Sequence, residues 1–96
     1  MFALGIDPGV SRCGYGFVSR DSAGYQALKA GVLTTPPADP LPERLAALSD
    51  ELRRLIAECR PDVVVVERVF FQTNVRTAMS VGQASGLALA AAASAG

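Results

Sequence analysis

The chain has 96 residues, half of them hydrophobic and 19% charged, with nine basic residues balanced by nine acidic ones. That length and apolar share fit one small folded domain or a piece of one, and exclude a disordered, collagen-like or solenoid chain. A net charge of zero excludes binding to nucleic acid through a densely basic surface, which needs many phosphates neutralised, but leaves room for a few placed contacts.

Cysteine occurs only at Cys13 and Cys59 and histidine is absent. Neither a disulfide framework nor a conventional structural zinc site is expected from that set, and both thiols read as small packing groups in a reducing compartment. Met1 leads directly into strand-like sequence, without the basic segment and cleavage site of a secretory signal, so the expected location is cytoplasmic.

Residues 2–6 form a short apolar run halted by Asp7-Pro8-Gly9, the pattern of a buried strand that ends in a tight turn. A carboxylate therefore sits at the strand's carboxyl end. Residues 14–18 and 26–33 are also strand-like and are separated by Asp21-Ser22-Ala23-Gly24, which predicts a three-strand antiparallel meander. Residues 34–42 contain four prolines and read as a loop. Leu45, Leu48, Leu52, Leu55, Ile56 and Cys59 then recur at helical spacing, with Glu43, Arg44, Asp50, Glu51, Arg53, Arg54 and Glu58 between them. This predicts an amphipathic helix of roughly 16 to 19 residues, ended by Pro61.

Asp62 is followed by four valines and Glu67, and such an apolar run suits a strand covered on both faces, as in a parallel sheet. Residues 77–96 carry no charge. Their length suffices to span a membrane, but Thr77, Ser80, Gln83, Ser85 and Ser94 interrupt a segment that is mainly alanine and glycine. A helix buried on most sides is the better account: one face on the sheet, another on a second subunit or a further segment. Gly82 and Gly86 would allow close backbone approach.

A strand-helix-strand connection makes the strands bearing Asp7 and Glu67 parallel, so both acids project from one end of the sheet. Neighbouring strands lie about 4.8 Å apart, close enough for two carboxylates to share a divalent cation. Oxygen donors without histidine or thiolate favour Mg²⁺ or Mn²⁺ over zinc. Taken singly, Asp7 also fits a plain turn residue and Glu67 a strand end at the surface. A glutamate directly after four valines is less easily explained that way.

Gly5-Ile6-Asp7-Pro8-Gly9, Gly14-Tyr15-Gly16, Pro61-Asp62 ahead of a valine-rich strand, Glu67-Arg68-Val69-Phe70, Asn74 and Gly82-Gln83-Ala84-Ser85-Gly86 occur in that order. Together these blocks resemble the amino-terminal part of the RuvC family of Holliday junction resolvases, over nearly the whole chain. The resemblance implies an α/β fold, a ribonuclease H-like mixed sheet with an antiparallel three-strand meander, a crossover helix and a parallel fourth strand. Residues 1–96 would form a single such domain, incomplete at its carboxyl end.

The resemblance further implies a Mg²⁺-dependent endodeoxyribonuclease, with Mn²⁺ as a substitute and two ions per complete site. Such an enzyme works as a homodimer on four-way junction DNA, with RuvA and RuvB as partners and no membrane association. Asp7 and Glu67 match catalytic, metal-holding positions, and Phe70, Asn74, Arg76 and Arg12 are the implied DNA contacts. Phe70 fits a core or interface aromatic equally well. Two further catalytic positions of such proteins belong to a region beyond Gly96, so the 96 residues alone are expected to be inactive. Ser85, Val10 and Cys13 depart from the residues commonest in the family. Two other readings are an amino-terminal piece of an actin-like ATPase or sugar kinase, which also opens with Gly-Ile-Asp-x-Gly, and a fragment without catalytic function.

Overall fold

The computed structural model describes residues 1–67 and 75–96, with side chains in the second stretch from residue 79 onward. Phe70 and Asn74 lie outside the described residues, as does the side chain of Arg76. The elements are β1 (Phe2–Asp7), β2 (Arg12–Asp21), β3 (Gly24–Thr34), α1 (Leu41–Cys59), β4 (Val63–Val66) and α2 (Val75–Ala95). Among the described residues the strands form one sheet in the order β3-β2-β1-β4. The first three make the antiparallel meander, and β4 pairs parallel to β1 after the α1 crossover. This is the ribonuclease H-like arrangement expected from the sequence.

The β2–β3 turn follows from its residues. Asp21 accepts a hydrogen bond from the Ala23 N–H at 2.8 Å, and Gly24 takes a φ of +115° that side chains rarely adopt. Helix α1 starts earlier than the proline count suggested. Pro42 lies in its first turn, where no N–H is needed, rather than in the preceding loop. The helix stops at Arg60, which turns left-handed at φ 48° and donates its N–H to the Ile56 carbonyl at 2.9 Å; Pro61 then bars continuation.

Alternation along the strands divides the sheet into two unlike faces. Leu4 and Ile6 of β1, with Cys13 and Phe17 of β2, pack against Leu48, Leu52, Leu55 and Ile56 of α1. Full burial of each large aliphatic side chain contributes about 1.5–3 kcal/mol. Ala84, Ala88 and Ala91 complete this core from α2, which rests chiefly on α1 and touches β4 less. The close approach therefore runs along the alanines. Gly82 and Gly86 are not its cause, because a Cβ at either would meet nothing within 4 Å.

Among the described residues the opposite face is open. Val64 and Val66 pack toward the helices, but Val63 and Val65 remain 37% and 57% exposed, so the described residues do not give β4 the two-sided cover expected of four valines. An apolar run records that both faces resist water, and both described helices lie on one of them. Among the described residues no helix is long and apolar enough to cross a membrane.

Candidate active site at the ends of two parallel strands

The β1–β4 register pairs Gly5 with Val65 and Ile6 with Val66, and the Glu67 N–H continues it by donating to the Ile6 carbonyl at 2.9 Å. One step further, Glu67 stands beside Asp7, and alternation turns both side chains to the open face. Both carboxyl groups line one hollow. A hydrogen bond to the Asp7 carboxyl, then the Asp7 charge and lastly slight burial, hold the Glu67 carboxyl above its usual range. Two repelling carboxylates turned to solvent form a ready oxygen-donor site for a hard divalent cation, which would relieve the repulsion. Among the described residues no third acid, cysteine or histidine joins them.

At the far end of the same strands, Asp62 ties β4 to β1. Its Oδ2 accepts the Phe2 N–H at 2.6 Å while its own N–H donates to the Phe2 carbonyl at 2.8 Å. Beside the acids, Gly5, Gly14 and Gly16 leave a strip of bare backbone that floors a shallow hollow of about 820 Å³, closed at one end by Asp7 and Glu67. Backbone crowding does not demand these glycines: a Cβ on Gly16 would meet nothing within 4 Å, and one on Gly14 would lie 3.7 Å from the Asp7 Cβ. The consequence is surface access.

The turn that carries the chain from Asp7 to Arg12 is tightly held. Pro8 and Val10 are buried, and a Cβ on Gly9 would fall 2.3 Å from the Arg12 carbonyl oxygen, so no larger residue fits there unchanged. The Thr35 hydroxyl donates to the Val10 carbonyl at 2.8 Å. Arg44 donates from Nε to Thr35 Oγ1 at 2.8 Å and from Nη2 to Ser11 Oγ at 2.9 Å. Arg12 itself is exposed at the start of β2. Cys13, next along, is buried, and that burial pushes its thiol up.

The structure thus brings Asp7 and Glu67 together and places Arg12 at the adjoining turn. Sequence reasoning missed Asp62, Thr35, Ser11 and Arg44. Asp62 carried a usable signal, an acid ahead of an apolar strand. Arg44 looked like one more charge on a helix's polar face.

The family profile described as Crossover junction endodeoxyribonuclease RuvC matches residues 3–96. A curated relative of that name from Chloroflexus aggregans is 50% identical over 96 residues, covering all of this chain and 58% of its own length. One from Salinispora arenicola is 53% identical over 97 residues, covering 55% of its length. The chain spans about half the length of the curated relatives it matches. Among solved structures, Thermus thermophilus RuvC in complex with Holliday junction substrate superposes with a TM-score of 0.89 at 33% identity, over 99% of this chain and 61% of that one. The yeast mitochondrial Holliday junction resolvase Ydc2, at 23% identity and a TM-score of 0.68, shares the fold. Its sheet order, its acids at two parallel strand ends and a profile match over nearly its whole length show that this chain belongs to the RuvC family.

Proposed function

We propose that this chain forms part of an endonuclease that nicks four-way DNA junctions, with Asp7 and Glu67 as two of its metal ligands. The observation that carries the proposal is the pair itself: two carboxylates side by side at the ends of adjacent parallel strands, beside a strip of bare backbone. The relatives' name and the junction-bound Thermus structure supply the substrate class.

Mg²⁺ or Mn²⁺, two ions in the complete site, would supply an activated water and charge stabilisation at the phosphate. The chain's own residues contribute position. Asp7 sits on a strand flanked on both sides by others, and Glu67 is tied by its backbone to Ile6, so neither carboxylate relies on a mobile loop. The glycine strip lets a sugar-phosphate backbone approach them. Arg12, Arg76, Asn74 and Phe70 are the proposed DNA contacts, few in number as the zero net charge requires. Helix α2, which exposes Met79 and Leu89, is the proposed contact with a second copy of the chain.

The test uses the full-length natural protein and a labelled synthetic four-way junction. Asp7→Asn keeps the shape of the side chain and removes an anionic ligand, so nicking should fall by at least about 100-fold with junction binding retained. Nicking by the variant at the parent rate overturns the proposal.

A further inference from the structure

Arg44 is an unusual surface arginine. The ion pairs among the described residues are Lys29 with Glu58 and Arg54 with Glu51. Arg44 instead spends two of its N–H groups on hydroxyls, reaching from the first turn of α1 to Thr35 after β3 and to Ser11 after β1. Thr35 is the one buried polar residue among the described residues. Its hydroxyl both donates, to the Val10 carbonyl, and accepts, from Arg44, so it is satisfied only while Arg44 is in place.

We infer that Arg44 is a positioning residue for Asp7: through Thr35 and Ser11 it locks the turn that closes β1 onto β2 at the acidic pair. Asp7 forms the last rung of the β1–β2 ladder, opposite Gly14, and residues 8–11 leave it without ladder bonds of their own. Three things hold that stretch: burial of Pro8 and Val10, the Thr35 bond to Val10, and the Arg44 bond to Ser11. Arg44 makes the last and completes the second. Its fork suits the task because the planar guanidinium fixes the Nε and Nη2 donors relative to each other, so one side chain holds two partners in a way an ammonium cannot reproduce. Without the fork, the buried threonine oxygen loses its donor, the turn gains alternative conformations and the final rung at Asp7 frays.

The inference rests on the reading of Asp7 as a metal ligand, and the test separates the two. In the full-length natural protein, Arg44→Met keeps the apolar stem and removes the donors. Arg44→Lys keeps the charge, Thr35→Val and Thr35→Ser remove and restore the hydroxyl, and Ser11→Ala cuts one bond at the exposed end. Amide exchange, read without reference to activity, should quicken about tenfold over residues 9–14 in Arg44→Met and Thr35→Val, with α1 and β3 unchanged. Mn²⁺ affinity, followed by electron paramagnetic resonance, should weaken about tenfold, and junction nicking should lose about 10–100-fold in kcat with KM held within about twofold. Thr35→Ser should restore all three, Arg44→Lys only part, and Ser11→Ala should show a smaller change in the same direction. Uniformly faster exchange, or kcat and KM that move together, would mark Arg44 as a general stabiliser and overturn the inference. So would parent-like exchange and kcat in both Arg44→Met and Ser11→Ala. If Asp7→Asn nicks at the parent rate, the functional proposal fails, and the exchange pattern alone decides whether Arg44 holds the turn.

Discussion

Replacing Asp62 with alanine isolates the clasp that ties β4 to the start of β1. The substitution deletes the 2.6 Å bond from the Phe2 N–H to Oδ2 and leaves the reciprocal Asp62 N–H bond to the Phe2 carbonyl in place. A hydrogen bond to a charged acceptor contributes about 1.5–3 kcal/mol, and exposure of this one to solvent brings the expected loss down to about 1 kcal/mol. Asp62→Asn keeps an acceptor oxygen and should lose less than half as much. Amide exchange should quicken at Phe2 while Ile6 and the far end of β4 stay protected. The register itself should hold, because a one-residue slip would turn Glu67 onto the helix face and a two-residue slip would carry it about 6.6 Å from Asp7. The raised Glu67 titration reports on that: it should persist in Asp62→Ala. Equal stability in parent and alanine variant, with unchanged exchange at Phe2, would refute the role given to Asp62.

The acidic pair should also leave its mark on pH dependence. In metal-free protein the folded Glu67 binds its proton more tightly than the unfolded one, so stability should fall as pH rises through the window between the ordinary glutamate value and the raised one, then level off. Asp7→Asn removes both main causes of the shift. The difference between parent and variant unfolding midpoints, measured in chelator from about pH 4 to 7, should therefore grow in the variant's favour with pH; a difference that shrinks would contradict the repulsive pairing. At the end of α1, Arg60→Gly should raise stability by about 0.5–1 kcal/mol in urea unfolding, since the left-handed φ of 48° is strained for arginine and not for glycine. A loss of stability would show that the arginine side chain contributes more than its backbone costs.

Local periodicity carried much of the fold. The α1 face from Leu45 to Cys59 is buried or half-buried at each apolar position named, because an amphipathic helix needs only one core to face. The meander was legible because Asp21 and Gly24 have turn chemistry of their own. The cover of β4 was not: an apolar strand states its need for cover and not its supplier, and Val63 and Val65 remain open among the described residues. Small residues in α2 were equally ambiguous, since glycine and alanine both permit close packing, and it is Ala84, Ala88 and Ala91 that are buried in the core. At the site, the two acids were visible from strand-end positions. The Arg44–Thr35–Ser11 chain was invisible, because its members lie up to 33 residues apart and none has an unusual sequence setting.

The pairing of β1 with β4 also governs when the acidic site comes into existence. Its two ends are tied by residues 60 apart, Phe2 with Asp62, so the site waits on the closure of a long loop. During synthesis at about 5–20 residues per second, the meander can form while Asp7 is still a lone acid at a turn, with no cation-gripping partner. Catalytic competence in the proposed enzyme is therefore withheld from the nascent chain until strand β4 docks. A cation held by both carboxylates then binds only the docked state, and at 100 times its Kd it would secure that state by about 2.7 kcal/mol. A metal held there would in this sense latch the fold before it acted on DNA.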